Sequence, residues 1–120
     1  MSTIDITIDS FEETIAQDGI VLLDFWASWC GPCQRFGPIF ERAAVAHPEI
    51  VFGKIDTEAQ QQLSGSLGIR SIPTIMAFRD GIGVFSQPGA LGPDQLEQLI
   101  SAVAGLDMDE VRAQVAAQQD

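Results

Sequence analysis

The chain has 120 residues, 46% of them hydrophobic, and seventeen Asp and Glu against six Lys and Arg give a net charge of −11. That length is one domain with material for a single core. Its acidity argues against a sequence-independent grip on nucleic-acid backbones or on anionic membrane surfaces. No apolar run approaches the roughly 20 residues that a bilayer span needs. The start, "MSTIDITIDSFEET", has neither the basic opening nor the apolar stretch of an export signal. The expected location is therefore cytoplasmic, where a lasting structural disulfide is uncommon. The two cysteines are expected to react rather than to staple.

From the N-terminus, "TIDITI" (3–8) alternates with period two, as a strand does, and Ser10 to Glu13 reads as a capping box opening a short helix. "GIVLLDFWA" (19–27) is almost continuously apolar, the pattern of a strand covered on both faces, yet Asp24 stands in its middle. Burying a lone carboxylate is costly unless something nearby satisfies or uses it. A long helix is predicted from Cys30 to His47, stopped by Pro48 and kinked at Pro38.

"IVFGKID" (50–56) predicts the next strand, and 57–68 a weaker helix ending in Gly68. Residues 73–87 read as a hairpin around Asp80-Gly81. Residues 92–105 read as a helix with Pro93 at its start, Gly105 beyond its end, and Leu96, Leu99, Ile100 and Val103 on one face. The alternation predicts an α/β fold with helices on both sides of a central sheet. A two-residue turn joins only antiparallel strands, so that sheet is mixed. The expected architecture is a three-layer α/β/α sandwich.

Cys30 and Cys33 stand nearly one helical turn apart, near enough to close a small disulfide ring. Pro32 suits a first turn, where its missing N–H costs nothing. Free backbone N–H groups and the positive end of the helix dipole favour a thiolate on Cys30, both a nucleophile and a good leaving group. Cys33 falls on the apolar stripe of Phe36, Ile39 and Phe40, so it is expected to be the sheltered thiol, and Cys30 the exposed one that attacks first. Three other readings compete: zinc, an inert staple and inert buried thiols. Zinc lacks ligands, His47 being the single distant histidine, and a bridge across two residues removes little chain entropy.

The segment "DFWASWCGPC" (24–33) resembles the active site of the thioredoxin family. "GIRSIPT" (68–74) is similar to its cis-proline segment, "KID" (54–56) to its third strand, and "FRDG" (78–81) and "GAL" (89–91) to its hairpin and later glycine. The likeness runs in order over about residues 4–105. It implies a thioredoxin-like sandwich whose central mixed sheet has about five strands. It implies a protein-disulfide reductase, a dithiol electron carrier in cell redox homeostasis. The redox group would be a reversible Cys30–Cys33 disulfide, with no bound cofactor and no metal.

The resemblance makes Asp24 the general base of Cys33, in keeping with a pKa that apolar burial raises. It makes Lys54 the partner of Asp24, and Pro73 a cis proline beside the thiols. Trp29, Gly31 and Pro32 would support the site, and Trp29, Ile72, Pro73, Gly89 and Ala90 would dock substrate. Implied partners are disulfide-containing client proteins and an NADPH-dependent thioredoxin reductase, with a monomeric protein and neither nucleic acid nor membrane.

Gln34 departs from a position often held by lysine, and Pro88 from the commoner residue before the glycine. Residues 106–120 extend past the usual domain, so a 1–105 domain and a 106–120 helical extension are expected, the latter capped by Asp107 with Met108, Val111 and Val115 on one face. Two other functions stand beside the reductase: the same chemistry run as an oxidase or isomerase, and a binding or chaperone module with incidental thiols.

Overall fold

The computed structural model describes residues 3–118, so the first two residues and the last two of the expected 106–120 extension lie outside the described residues. In chain order the elements are β1 (Thr3–Asp5), α1 (Phe11–Ile15), β2 (Ile20–Trp26), α2 (Gly31–Ala46), β3 (Val51–Asp56), α3 (Gln61–Ser66), β4 (Thr74–Arg79), β5 (Ile82–Pro88), α4 (Pro93–Ala104) and α5 (Met108–Gln118). The five strands form one sheet in the order β1-β3-β2-β4-β5. β1, β3 and β2 run parallel, and β4 and β5 run antiparallel to their neighbours. This is the mixed sheet that the hairpin requires.

Strand β2 sits at the centre, and its period-two alternation sorts the two cores. Val21, Leu23 and Phe25 point to one face, where they meet Phe11 of α1 and Leu63 of α3. Leu22 points to the other, where it meets Phe36 and Phe40 of α2 and Leu96, Ile100 and Val103 of α4. Asp24 shares the parity of Leu22 and so belongs to the α2 face. Gly53 of β3 is a packing requirement: a Cβ there would overlap the side chain of Ile6 and crowd Leu23. The hairpin turns on Asp80 and Gly81, both left-handed at φ 53° and 83°. That is the pair of conformations for which Asp-Gly is suited.

Three expectations are adjusted. β1 is three residues rather than six, although the Ile6 N–H still donates to the Lys54 carbonyl at 2.9 Å. The capping box at Ser10 does not form, because the Ser10 hydroxyl accepts the Thr7 N–H at 3.1 Å instead of a helix N–H. Helix α3 covers only six residues of the 57–68 segment. Helix α2 runs through Pro38 as one element and ends at His47.

The far end of the sheet is tied down by Arg79, opposite Ile20 at the start of β2. Its Nη1 donates to the carbonyls of Val103, Ala104 and Leu106 at 2.8, 3.0 and 2.9 Å. These include the orphan acceptors of the α4 C-terminus, where a cation is favoured by the helix dipole. Beyond them the Asp107 carboxylate caps α5 by accepting the N–H groups of Asp109 and Glu110. Met108 is buried, and the half-buried Val111 and Val115 face Ile82 and Val84 of β5 across a groove. Replacing Arg79 with Ala removes all three bonds and is expected to cost about 2 kcal/mol. Urea unfolding measures this, and the reactivity of Cys30 and Cys33, beyond the other end of β2, should be unchanged.

Candidate active site

The chain leaves β2 at Trp26 and enters α2 at Gly31, so Ser28, Trp29 and Cys30 form the corner above the sheet. Cys30 is the N-cap of α2, with extended backbone angles. Cys30 and Cys33 are joined in a disulfide, their Cα atoms 5.2 Å apart. The Cys33 N–H donates to Cys30 Sγ at 3.2 Å. One of the donors that a helix start leaves without an intrahelical partner is thus aimed at sulfur. Pro32 occupies the adjoining first-turn position. The Gln34 side chain donates from Nε2 to the Ser28 carbonyl at 2.9 Å, closing the corner from below. The residue that departs from lysine therefore supplies a brace in place of a charge.

One expectation about the cysteines is corrected. Cys30 is 4% exposed and Cys33 5%, so exposure does not separate an attacking thiol from a sheltered one. Both are covered because Ile72 and Trp26 pack against the Ala27–Cys30–Cys33 cluster. The distinction lies in hydrogen bonding: the helix donor points at Cys30.

The Ile72–Pro73 peptide bond is cis, and the Ile72 carbonyl oxygen stands 3.7 Å from Cys30 Sγ. The Gly89 N–H donates to the Pro73 carbonyl at 2.8 Å, with Gly89 at φ 110°, which favours glycine. Three separated stretches, residues 30–33, 72–73 and 89, thereby meet. Trp29 is 68% exposed beside them, Gly31, Pro32 and Ala90 are exposed, Ile72 is half-buried and Pro73 is buried.

On the central strand, register places Asp24 directly opposite Lys54 of the parallel neighbour β3. Lys54 has the parity of Phe52, so both side chains turn to the α2 face. Asp24 is fully buried, and neither carboxylate oxygen has a hydrogen-bond partner. Burial pushes its pKa up from 3.8 to about 7, against the downward pull of the Lys54 ammonium. Lys54 Nζ itself lies 5.2 Å from the centre of the Trp26 ring, a cation held over an aromatic face. A cleft of about 350 Å³ runs between Lys54 and α2, with Trp26, Cys33, Gln34, Gly37 and Glu41 among its other walls. It gives Lys54 and Cys33 a common solvent space. Gly37 and Glu41 were not singled out from the sequence; their three-four spacing from Cys33 on α2 was the available signal.

Among the described residues no group of three or more His, Cys, Asp or Glu side chains gathers as a metal site requires. No helix among the described residues is long and apolar enough to cross a membrane.

A CxxC pair at a helix N-terminus, a cis-proline loop against its sulfur and an unpartnered buried carboxylate on the central strand define a dithiol redox protein on a three-layer sandwich. The thioredoxin family model matches residues 2–102. A putative thioredoxin 2 of Streptomyces coelicolor is 52% identical over 118 residues, 98% of this chain and 88% of that protein. The thioredoxin of Chlamydia muridarum is 40% identical over 93 residues, covering 78% of this chain and 90% of its own. Among solved structures, a mutant thioredoxin of Halobacterium salinarum superposes with a TM-score of 0.80 at 31% identity, covering 88% of this chain and 94% of that one. The Malassezia sympodialis thioredoxin gives 0.77 at 34%, covering 87% and 92%. The chain belongs to the thioredoxin family, and its activity is that of a thiol–disulfide oxidoreductase. Helix α5 lies beyond the family match but within the span shared with the Streptomyces protein.

The Asp24 carboxyl makes folding stability depend on pH with a definite sign. Between pH 3.8 and about 7 the folded chain holds a proton that the unfolded chain has lost, so stability falls as pH rises through that window and is level above it. The whole drop is about 4 kcal/mol. Asp24→Asn removes it: relative to wild type the variant should gain stability steadily from pH 4 to pH 8. Urea midpoints of the oxidised proteins across that range check this, and parallel pH dependences would place the Asp24 pKa near its ordinary value.

Proposed function

We propose that the chain reduces disulfides of client proteins with Cys30 as nucleophile, Cys33 as resolving thiol and Asp24 as the base that serves Cys33. The observation that carries this reading is the Cys33 N–H aimed at Cys30 Sγ from the first turn of α2. Such a donor, together with the dipole, stabilises a thiolate more than a thiol.

In the reduced protein the Cys30 thiolate attacks one sulfur of the client's S–S bond. A Cys30–client disulfide forms, and the other client sulfur leaves as a thiolate. The Cys33 thiol then gives its proton to Asp24, whose raised pKa matches that task near neutrality. The Cys33 thiolate attacks Cys30 Sγ, the Cys30–Cys33 disulfide closes, and the second client sulfur leaves. Two electrons have passed to the client. Lys54 would hold the charge balance as Asp24 alternates between its two forms. The Ile72–Pro73 backbone offers an edge against which an extended client segment can lie, with Trp29, Gly31, Pro32, Gly89 and Ala90 as its apolar rim.

Re-reduction requires two electrons from outside, and an NADPH-dependent thioredoxin reductase is the donor we assign, in a cytoplasmic setting. We further assign the catalytic unit to residues 1–105 and treat 106–120 as an appended helix. Its removal should cost stability, through Met108 and one Arg79 acceptor, while leaving activity intact.

The decisive measurement is insulin disulfide reduction with dithiothreitol, joined to a trapping experiment. Cys30→Ser should abolish turnover, and Cys33→Ser should form a client adduct that does not resolve. An adduct with Cys30→Ser instead would reverse the two roles. In wild type, release of client from the adduct should quicken as pH rises through about 7, where Asp24 gives up its proton. Asp24→Asn should lose that inflection, and an unchanged profile would remove Asp24 from the chemistry.

A further inference from the structure

Beside the disulfide, on the α3 side of Trp29, a second groove of about 310 Å³ opens between α3 and the loop leading to Ile72. Ile72, which packs against the cysteine cluster, and Trp29, next to Cys30 in the chain, both line this groove, which makes the two surfaces continuous. Its remaining walls include Gln61, Ile69 and Arg70, and Arg70 is the one charged residue lining it.

Arg70 is exposed, and the ion pairs among the described residues are made by His47 and Arg112, not by Arg70. In a chain with seventeen carboxylates, a surface guanidinium without one is a cation left available at the edge of a docking surface. In the turn before α3 the Asp56 carboxylate is engaged locally, accepting the N–H groups of Glu58 and Ala59 through Oδ1. Across the disulfide, Arg35 Nη1 approaches Gly31, 3.8 Å from where a Cβ would stand, and it too lies outside the ion pairs. The dithiol is thus flanked by cations although the molecule as a whole is strongly anionic.

We propose that the Trp29–Arg70 groove is a client subsite that selects an acidic side chain near the disulfide being reduced, with Arg70 as the specificity-determining residue. The occupant is a client polypeptide segment: its apolar part lies on Trp29 and Ile69, and its carboxylate meets the guanidinium in the forked geometry that arginine offers. The inference rests on the reductase reading above, because the groove acts on whatever chain is presented to Cys30. Long-range repulsion by the −11 charge disfavours clients that are acidic throughout. Local acidity beside the disulfide, in a client otherwise neutral or basic, is what the site rewards.

The test uses the full chain in reduced form and short synthetic peptides that contain one intramolecular disulfide. Glu, Gln or Lys is placed two residues to either side of the attacked cysteine, and second-order reduction rates are measured at low and high salt. Wild type should prefer the Glu peptide to the Gln peptide by about threefold at low salt, as an exposed ion pair allows. The preference should fade at high salt. Arg70→Gln should lose it while reducing the Gln peptide at the wild-type rate, and Arg70→Glu should favour the Lys peptide. Equal rates for all peptides in wild type, or a Glu preference that survives Arg70→Gln, would overturn the subsite while leaving the reductase intact. Failure to reduce any of the peptides would overturn the reductase reading and the subsite with it.

Discussion

The first turn of α2 is the constraint on which the site depends. A helix must begin with N–H groups that its own carbonyls cannot reach. Here the chain leaves a buried central strand and turns at once into the helix, so one of those donors is brought to Cys30 Sγ at 3.2 Å. The intervening Pro32 suits that purpose, because it has no N–H to satisfy in the first turn. Gln34 braces the corner from below through the Ser28 carbonyl. The thiolate we propose on Cys30 is therefore supported by chain geometry and needs no lysine next to the motif.

Asp24 shows what this arrangement costs. Both of its oxygens are buried without a hydrogen-bond donor, and its nearest countercharge, Lys54, is drawn over the Trp26 ring. Desolvation outweighs the countercharge: burial raises the pKa to about 7 although a cation faces it across the strand pair. A fully paired carboxylate would be more stable and stay ionised, and it would have no use for a proton at neutral pH. The destabilisation is tolerable because the same strand carries Val21, Leu22, Leu23 and Phe25 into the two cores.

Much of this was legible in the sequence because it is local. The cysteine spacing, the Asp80-Gly81 turn, the apolar run of β2 and the misplaced Asp24 within it depend on residues close in the chain. What was not legible depends on residues brought from afar. The burial of Cys30 comes from Ile72, forty-two positions away in the contact to its carbonyl. The Ser10 capping box lost to a competing turn at Thr7, a choice that propensity alone does not rank. Gly53 looks like a weak point in a strand until Ile6 is seen to fill the space above it. The three carbonyls gathered by Arg79 come from the end of α4 and the segment after it, which no pattern around residue 79 announces.

The two ends of β2 divide the work of the molecule. At its start, Arg79 pins the α4 terminus and the Leu106 carbonyl, and Asp80 meets Arg112 of α5 at 3.4 Å. Here ionic groups are paired and acceptors are filled. At its end the opposite holds: Asp24 is without a donor, the Trp26 indole N–H is buried without an acceptor, and Arg70 stands free of the ion pairs. Unfilled polar capacity is what a site keeps for a substrate or a proton, and filled capacity is what a scaffold uses to stay folded. A rigid central strand lets one end remain unsatisfied because the other is not, and for that reason a mutation at Arg79 should act on stability alone, whereas one at Asp24 acts on the pH dependence of both stability and client release.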